Sequence, residues 1–312
     1  MIHRPVTALL AVLTALASGP TLVRLFGDGE HIPLVLLVTV LPYAFIPLVV
    51  LAAVQLLLGR RRIAAVTAAV VLLDLVWFVP LFVADSPGKG APLTVMTSNL
   101  RYGEADPFAL VKLVKENKVD VLAAEELTER AVTDLRGAGL EQELPYFTGE
   151  PVNGPDGCGL WSRYPISPQS EWKLRFRAPG AVVKAPSGEV LVRVVHAFPP
   201  VGDEKGVYQR DADAVLRDVA ALPTTRPTVV LGDFNATLDN SFLRTLMGDR
   251  FRDAGEKAGA GLVRTWGVHP GSTTLLDLDH VFVDHRIGVR STAVLDVPRS
   301  DHDALLARLV IG

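Results

Sequence analysis

The first 84 residues are dominated by apolar side chains, which form three runs at 6–26, 32–58 and 63–84. A helix rises 1.5 Å per residue, so about 20 residues cross the roughly 30 Å hydrocarbon core of a bilayer. The second run contains Pro42 and Pro47, and we expect it to kink or tilt there. The pattern therefore predicts three transmembrane helices in residues 1–84.

Beyond residue 92 the apolar residues occur in short runs of β-branched and aliphatic side chains, separated by turns and amphipathic segments. Short apolar runs predict buried strands, whereas apolar spacing of three and four residues predicts helices. The pattern predicts strands at 93–98, 119–124, 157–162, 190–195, 229–231, 279–283 and 304–311, and helices at 107–117, 128–135 and 211–222.

The order of these elements predicts the architecture of the polar region. Strands that alternate with occasional helices, together with hairpin-like strand pairs, are typical of two packed sheets with helices outside. Residues 85–92 are rich in Pro and Gly and predict a short linker. We therefore expect a transmembrane region at 1–84, a linker at 85–92 and one α/β domain at 93–312, which is long enough for a sizeable core.

The charges beside the apolar runs predict their orientation. Three arginines at 60–62 form the turn between the second and third runs, and cytoplasmic loops are enriched in Lys and Arg. We expect a multi-pass protein of the cell membrane with residues 85–312 outside the cytoplasm. Ala15-Leu16-Ala17 resembles a signal-peptidase site, but the apolar run continues to Phe26, which favours retention of the first span.

Composition limits the classes of partner. Of the 31 Lys and Arg and the 34 Asp and Glu, only six and four respectively lie in the first 91 residues, so residues 92–312 carry a formal charge of −5. Nucleic-acid-binding domains usually carry a basic patch or stripe, so a nucleic-acid partner is disfavoured. The single cysteine, Cys158, excludes an internal disulfide framework.

Polar side chains occur at the ends of the predicted strands, and the clearest case is the stretch TVVLGDFN at 228–235. We expect Gly232 to let the chain turn after a buried strand, and Asp233 and Asn235 to face the same way because they are two positions apart. If the strand ends share one edge, they form a single pocket of carboxylates and imidazoles. The further residues at or near strand ends are Asn99, Glu126, His196, Asp279, Asp301 and His302.

This set of side chains is suited to metal-dependent phosphoester hydrolysis. Carboxylate and amide oxygens are the ligands that Mg²⁺ or Mn²⁺ prefers, and the sequence has no HExxH motif or cysteine cluster that would favour zinc. A hard cation offsets phosphate charge, a carboxylate activates water, and an imidazolium stabilises the charge that develops.

Together these motifs resemble the endonuclease/exonuclease/phosphatase superfamily, which includes DNase I-like nucleases, sphingomyelinases and inositol phosphatases. The resemblance covers roughly 93–312 and implies a four-layered α/β sandwich, here preceded by the three transmembrane helices. The motifs that carry it, in chain order, are Thr97-Ser98-Asn99, the segment 120–126, GLWSRYPI at 159–166, His196, GDFN at 232–235, Asp279 in LDLDHVFV, and Ser300-Asp301-His302.

The resemblance also implies a role for each residue. Glu126 resembles the metal carboxylate with Asn99 beside it, and Asp301 completes the metal or water network. Asp233 orients or deprotonates the water. The groups expected to contact phosphate are Asn235, His196, and His302 in a pair with Asp279.

Three residues modify this picture. The superfamily usually has Gln before the metal Glu, but this chain has Glu125, so the ligand assignment between Glu125 and Glu126 stays open. We also expect Arg163 and Arg175 to contribute to substrate binding.

The combination of three spans, an outward domain and this motif set is similar to the VanJ-type membrane phosphatases of actinobacteria, which are associated with glycopeptide resistance. That resemblance implies a Mg²⁺- or Mn²⁺-dependent phosphatase or phosphodiesterase that acts on lipid phosphates or lipid-linked pyrophosphates, such as an undecaprenyl carrier. Two alternatives stay open: a membrane-tethered exported nuclease and a sphingomyelinase-like phospholipid phosphodiesterase.

Overall fold

A computed structural model describes residues 3–29, 31–186, 188–202 and 206–312. The chain divides into two compact units. One, the helical unit, comprises Met1–Pro80 and Leu238–Arg244, and the other, the α/β unit, comprises Leu81–Thr237 and Thr245–Gly312.

The helical unit follows the three apolar runs, but two of them are bent. The first run is two helices that meet at 43°, and the second is two helices that meet at 63°. Within the described residues, one helical stretch, Arg61–Phe82, is long and apolar enough to cross a membrane, and the number rises to three if each bent pair counts as one span. The helices are α1 (His3–Ala17), α2 (Gly19–Phe26), α3 (Ile32–Thr39), α4 (Leu41–Leu57) and α5 (Arg61–Phe78), followed by a 3₁₀ turn at Val79–Phe82.

Polar contacts join these helices on the inside. The Gln55 side-chain amide donates to Thr14 Oγ1 at 2.8 Å and accepts from Thr67 Oγ1 at 2.8 Å. All three side chains are buried, so their hydrogen bonds offset the cost of removing them from water. The apolar side chains, in contrast, face outward along much of the unit.

Leu238–Arg244 belongs to the helical unit, which the sequence pattern did not predict. The buried carboxylate of Asp28 accepts from the Ser241 N–H at 3.2 Å and from the Ser241 hydroxyl. Asn240 Nδ2 donates to the Val35 carbonyl at 3.0 Å, and Arg24 forms an ion pair with Asp239.

The α/β unit contains two six-stranded sheets, each of which mixes parallel and antiparallel pairs. The first has the order β11-β12-β1-β2-β4-β3 and the second β5-β6-β7-β8-β10-β9. Within the described part of the chain, β1–β2 and β7–β8 are parallel pairs and the other strand pairs are antiparallel. The strands are β1 (Ala91–Asn99), β2 (Val121–Glu125), β3 (Tyr146–Glu150), β4 (Cys158–Ser162), β5 (Ile166–Pro168), β6 (Gly180–Ala185), β7 (Gly188–His196), β8 (Thr228–Asp233), β9 (Phe251–Asp253), β10 (Asp279–Asp284), β11 (Ile287–Leu295) and β12 (Ala304–Ile311).

The main core consists of alternate residues from the strands of both sheets. Successive side chains of a strand point to opposite faces, so every second residue of each strand joins the same layer. Rows that enter this core include Leu93 and Val95, Val121 and Ala123, Val190, Val192 and Val194, Val229 and Leu231, and Val281 and Val283.

Helices cover the outer face of the first sheet. Leu110 and Val114 of α6 pack in one cluster with Met96 and Leu122, which come from the alternate positions of β1 and β2. The N-terminus of α6 (Pro107–Glu116) is capped, since Asp106 accepts from the Phe108 N–H at 3.0 Å. The helices of this part of the chain are α6 (Pro107–Glu116), α7 (Glu129–Gly137), α8 (Leu140–Glu143), α9 (Val207–Ala220), α10 (Ser241–Met247) and α11 (Ala254–Ala258).

All ten elements that the pattern predicts beyond residue 92 occur, with bounds shifted by a few residues. Five strands were not predicted, and four of these, β3, β5, β9 and β11, are the edges of the two sheets. Edge strands have one unpaired side and bury fewer side chains, so their apolar signal is weak. For example, β3 is largely exposed along its length.

Gly232 does not form the turn that we expected after β8. It lies inside the strand, paired with Val195, and a Cβ at this position would sit 1.9 Å from the Val195 carbonyl oxygen. The close approach of β7 and β8 therefore requires Gly at position 232, and Asn235, with φ 49°, takes the left-handed conformation instead.

Candidate active site at one end of the sandwich

The inner rows of five strands end in polar residues instead of apolar ones. The apolar row of β8, Val229 and Leu231, continues into Asp233. Its neighbours in the sheet place His196 and Asp279 directly opposite Asp233. In the first sheet, the rows of β1 and β2 end in Asn99 and Glu125, which are paired with each other. The same alternation that builds the core thus delivers these side chains to one end of it.

Asp233 is the centre of the cluster. Its Oδ2 accepts from Asn99 Nδ2 at 2.9 Å and lies 3.7 Å from the Nε2 atoms of both His196 and His302. Its Oδ1 accepts from the Asn235 N–H at 2.9 Å. Burial raises the pKa of Asp233, and the positive charge of His302 opposes that shift.

His302 is paired with Asp279, as the family resemblance implied. Its Nδ1 lies 2.8 Å from Asp279 Oδ2, and both side chains are buried. Burial by itself lowers the pKa of His302, but the carboxylates of Asp279 and Asp233 outweigh it and raise the pKa to about 10. His302 is therefore an imidazolium at neutral pH, and its Nε2–H faces Asp233.

Ser300 holds the His302 loop against the end of β1. Its hydroxyl donates to the Asn99 carbonyl at 2.8 Å and accepts from the His302 N–H at 3.1 Å. Ser300 belongs to the motif at 300–302, but no function was predicted for it, because a serine before Asp-His has no distinctive chemistry of its own.

His196 lies on the opposite side of Asp233 and differs from His302 in its protonation. Burial lowers the pKa of His196, although the Asp233 carboxylate opposes the shift. The ring is stacked on Phe176, with centroids 4.4 Å apart and planes at 29°. Phe176 was not predicted, since an aromatic residue in a loop has no sequence signal that links it to a histidine 20 positions away.

The structure separates the two adjacent glutamates. Glu126 has φ 54°, and its carboxylate accepts from Asn99 Nδ2 at 3.2 Å and from the Tyr102 N–H at 2.7 Å. Glu125 continues the inner row of β2 and accepts from Thr97 Oγ1 at 2.8 Å. The left-handed residue breaks the strand alternation, so the Glu126 carboxylate contacts Asn99, whereas the Glu125 carboxylate contacts Thr97 in the inner row.

Burial raises the pKa of Glu125 well above its ordinary value, and the charge of Asp279 raises it further. Among the described residues, Glu125 Oε2 and Asp279 Oδ1 are both buried without a hydrogen-bond partner. A protonated Glu125 is favoured by this environment, and a neutral carboxylic acid resembles the Gln that the family usually has here. The extra acidic residue therefore adds little negative charge to the site.

The donor set fits a hard divalent cation. Glu126 is a half-buried carboxylate, and partial burial raises its pKa although Tyr102 and Asn99 donate hydrogen bonds to it. Asp301 lies beside the same turn, with its Oδ1 3.8 Å from Arg101 Nε. Asn99 donates to Glu126 and accepts from the Arg101 N–H at 2.8 Å, so it orients the carboxylate in this arrangement.

Ligand atoms of Asp233, Asp279 and His302 lie within 4.8 Å of one another, which is also close enough for a metal. We do not assign the cation to this group. An imidazolium whose Nδ1–H donates to Asp279 has no lone pair for a metal, and the three side chains already form a hydrogen-bonded charge network.

Of the two arginines that we expected to bind substrate, the structure does not bring Arg163 to the site. It follows β4 at the end of the sheet where β2 begins, since Ser162 is paired with Val121 and Cys158 with Glu125. Its guanidinium donates to the Val119 carbonyl at 2.9 Å and pairs with Asp120 at 3.3 Å. Arg163 is therefore corrected to a structural residue.

Arg175 lies on the same side of the fold as His196. Its guanidinium is 5.2 Å from the centroid of Phe176, the ring that stacks on His196. It also pairs with Asp156 at 3.0 Å and lines a cavity of about 570 Å³. Its position is compatible with substrate contact.

Asn235 and His280 complete the surroundings of Asp233. Asn235 Nδ2 donates to the Ala197 carbonyl at 2.9 Å, which uses one of its two amide hydrogens. His280 follows Asp279 in β10, so its side chain points to the opposite face of the sheet, away from the cluster. It was not among the residues singled out from the sequence. Its Nδ1 lies 3.2 Å from Asp253 Oδ2 and its Nε2 3.0 Å from the Ala236 carbonyl.

A family model matches most of the α/β unit. The profile described as "Endonuclease/Exonuclease/phosphatase family" matches residues 96–302, a span that includes every residue of the cluster. No curated protein matches the chain.

Several solved structures share the fold at low sequence identity. An endonuclease/exonuclease/phosphatase family protein from Bacteroides thetaiotaomicron is 17% identical, with a TM-score of 0.55, and the match covers 72% of this chain and 96% of that one. D. rerio TDP2 complexed with a single-strand DNA product is 14% identical, with a TM-score of 0.58, and the match covers 70% and 99%. A mannosyl-6-phosphatase from Bacteroides thetaiotaomicron is 17% identical, with a TM-score of 0.52, and the match covers 70% and 100%.

Proposed function

The chain belongs to the endonuclease/exonuclease/phosphatase family, and we propose that it is a membrane-anchored, metal-dependent phosphoester hydrolase. The observation that carries this proposal is the buried Asp233, which lies 3.7 Å from two imidazoles whose pKa values are shifted in opposite directions. Groups with separated pKa values at one carboxylate are suited to proton transfer and charge stabilisation within a single reaction.

Each residue of the cluster has a separate role in the proposed hydrolysis. Asp233 accepts the proton of the attacking water or orients that water, because its raised pKa makes it a better base than an exposed Asp. The His302 imidazolium stabilises the negative charge that develops on the phosphoryl oxygens, and Asp279 keeps it protonated and fixes its ring. The neutral His196 and the second N–H of the Asn235 amide orient the phosphate.

Glu126, with Asp301 beside it and Asn99 as the orienting group, would hold Mg²⁺ or Mn²⁺. When bound, the cation would offset phosphate charge and polarise the scissile phosphoryl group. The raised pKa of Glu126 supports this assignment, because a cation stabilises the charged form of a partly desolvated carboxylate.

We further propose that the substrate is a lipid phosphate or a lipid-linked pyrophosphate at the outer face of the cell membrane. The outward-facing apolar side chains of the helical unit and the three basic residues at 60–62 support membrane insertion with the catalytic region outside. The formal charge of −5 over residues 92–312 favours such a substrate over nucleic acid.

A nuclease is the second candidate, because one structural neighbour, D. rerio TDP2, was solved with a single-strand DNA product. A basic strip that follows a nucleic-acid backbone would be required. The formal charge of −5 over residues 92–312 argues against such a strip.

The test is phosphate release by the purified full-length protein from lipid pyrophosphates, lipid monophosphates, phospholipids and single-stranded DNA, with and without EDTA. We expect release from the lipid phosphates that stops with EDTA and returns with Mg²⁺ or Mn²⁺. Glu126→Gln should abolish this activity while the protein stays folded, and Glu150→Gln, an exposed glutamate of β3, is the matched control. Full activity in EDTA would exclude a metal-dependent reaction, and faster hydrolysis of DNA would favour the nuclease.

A further inference from the structure

Three consecutive residues after the Asn99 strand have left-handed backbone conformations. Arg101, Tyr102 and Gly103 have φ values of 45°, 54° and 74°. For residues with a Cβ this conformation is energetically unfavourable, so two adjacent cases need a compensating reason. The Tyr102 N–H contact to Glu126 explains part of the turn. It does not explain why a charged and an aromatic side chain occupy strained positions.

A further strained residue lies in the loop that carries Asp301 and His302. Arg299 has φ 73° and stands immediately before the Ser300-Asp301-His302 motif. The two loops are tied together, because the Asp106 N–H donates to the Pro298 carbonyl at 2.9 Å and Arg299 Nη2 donates to the Ala105 carbonyl at 3.4 Å. Strain that occurs twice beside a catalytic cluster indicates a constraint on these side chains.

Both loops line one cavity of about 530 Å³. Arg101, Tyr102 and Arg299 form part of its wall, together with Arg130 from α7. The cavity borders the catalytic cluster, since Arg101 Nε lies 3.8 Å from Asp301 Oδ1 and the Tyr102 N–H donates to Glu126. A group attached to the phosphate at the cluster would therefore lie within reach of these arginines.

The arginines of the cavity have acidic partners, and these contacts are weak. Arg101 pairs with Glu104, and Arg299 lies 3.8 Å from Asp106. Such partly exposed ion pairs contribute little to stability, because water competes for both charges. A phosphate offers several charged oxygens to a planar guanidinium and binds it more strongly than a single solvated carboxylate does.

We propose that this cavity binds a second anionic group of the substrate, the non-scissile phosphate of a diphosphate, and that Arg101 and Arg299 are its ligands. The inference rests on the proposed phosphoester hydrolase function and makes it more specific. The two strained turns aim one arginine from each loop at the same space, so the diphosphate is held while its terminal phosphate lies at Asp233 and His302.

The experiment compares a prenyl diphosphate with the matching prenyl monophosphate as substrates of the full-length protein. We expect Arg101→Ala and Arg299→Ala each to lower kcat/KM about ten-fold or more further for the diphosphate than for the monophosphate, which is the effect of losing one hydrogen bond to a charged group. Arg136→Ala is the matched control, because Arg136 is a similarly exposed arginine paired with Glu141 and lies outside the cavity lining. Equal losses on both substrates would overturn the proposal.

A second measurement separates this proposal from the proposed function. Binding of inorganic pyrophosphate and of inorganic phosphate is compared by calorimetry at saturating Mg²⁺, which requires no turnover. We expect pyrophosphate to bind more tightly and this preference to fall about ten-fold in each arginine variant. If the wild type hydrolyses neither lipid but keeps that preference, only the proposed function fails, whereas a preference unchanged by the variants overturns the cavity assignment.

Discussion

The two units of the chain place polar and apolar side chains in opposite ways. In the helical unit the large apolar residues Phe26, Leu57 and Leu72 are 82%, 87% and 63% exposed, while Gln55 and Thr67 are fully buried. In the α/β unit the inner faces of both sheets are apolar and buried, and polar residues cover most of the exterior. The proposed membrane insertion of the helical unit accounts for this difference, because apolar surface is exposed at little cost only where the surroundings are apolar.

Buried polar groups also differ between the two units. In the helical unit Gln55 hydrogen-bonds with Thr14 and Thr67, whereas the two carboxylate oxygens of the buried Asp74 have no hydrogen-bond partner among the described residues. At the end of the sandwich, carboxylates and imidazoles are buried with shifted pKa values, and some oxygens lack partners within the described part of the chain. Hydrogen-bonded groups such as Gln55 stabilise a structure, whereas clustered carboxylates and imidazoles lower stability and are typical of an active site.

The largest effect that we expect comes from removing the positively charged imidazole of His302. His302→Asn should lower kcat by about 10²-fold or more, because the charge that develops on the phosphoryl group loses its main donor. Asp279→Asn should cost less, and the double variant should lose less than the product of the two, since both residues act as one unit.

The exposed His269 supplies the control for this prediction. His269→Asn should leave kcat unchanged. If His302→Asn lowers the melting temperature but keeps kcat, then the His302–Asp279 pair only stabilises the fold. The buried polar groups of the two units would then have the same role.

A charge on the outer face of the helical unit should have the next largest effect. Leu72 lies near the middle of the apolar stretch Arg61–Phe82, and Leu72→Lys should cost about 2.5–3.5 kcal/mol if that face contacts lipid. We expect the variant protein to be depleted from the membrane fraction after a carbonate wash. Val268→Lys changes a residue of the α/β unit that is 65% exposed, close to the 63% of Leu72, and should have no effect. Equal tolerance of both variants would mean that the two exteriors face the same solvent.

The smallest effect concerns a histidine that stabilises the α/β unit without taking part in the site. Burial by itself lowers the pKa of His280, but its hydrogen bond to Asp253 and the charges of Asp253 and Asp277 raise the pKa to about 9. A folded pKa above the unfolded value of about 6.5 gives stability that is complete below pH 6.5 and is lost as pH rises through 9.

We therefore expect the free energy of unfolding to fall by on the order of 2–3 kcal/mol between pH 6.5 and 9 through His280 alone. His280→Asn should flatten this part of the stability profile, measured by chemical unfolding at several pH values. His302 also has a raised pKa, so it too makes the free energy of unfolding fall as pH rises. The contribution of His280 is therefore the difference in slope between the wild type and His280→Asn. An unchanged slope in His280→Asn would show that the ring is neutral in the folded protein.

Much of the fold was predictable because its signals are local. The three apolar runs and the ten predicted elements of the α/β unit follow from the spacing of apolar residues over a few turns or one strand. Four of the five missed strands are sheet edges, where the residues bury little surface and carry no strong pattern. Apart from the bends of 43° and 63° within the first two runs, the helix bounds in the first 84 residues also agree with the apolar runs.

The sequence by itself determined which residues end the inner rows, because strand alternation carries Val229 and Leu231 into Asp233 and Val192 and Val194 into His196. Only the tertiary structure decided which of them meet. It selected Glu126 over Glu125 through one left-handed residue, and it moved Arg163 to the far end of the sheet. These outcomes depend on strand direction and loop conformation, which arise from contacts between residues distant in the chain and leave no mark on the local pattern.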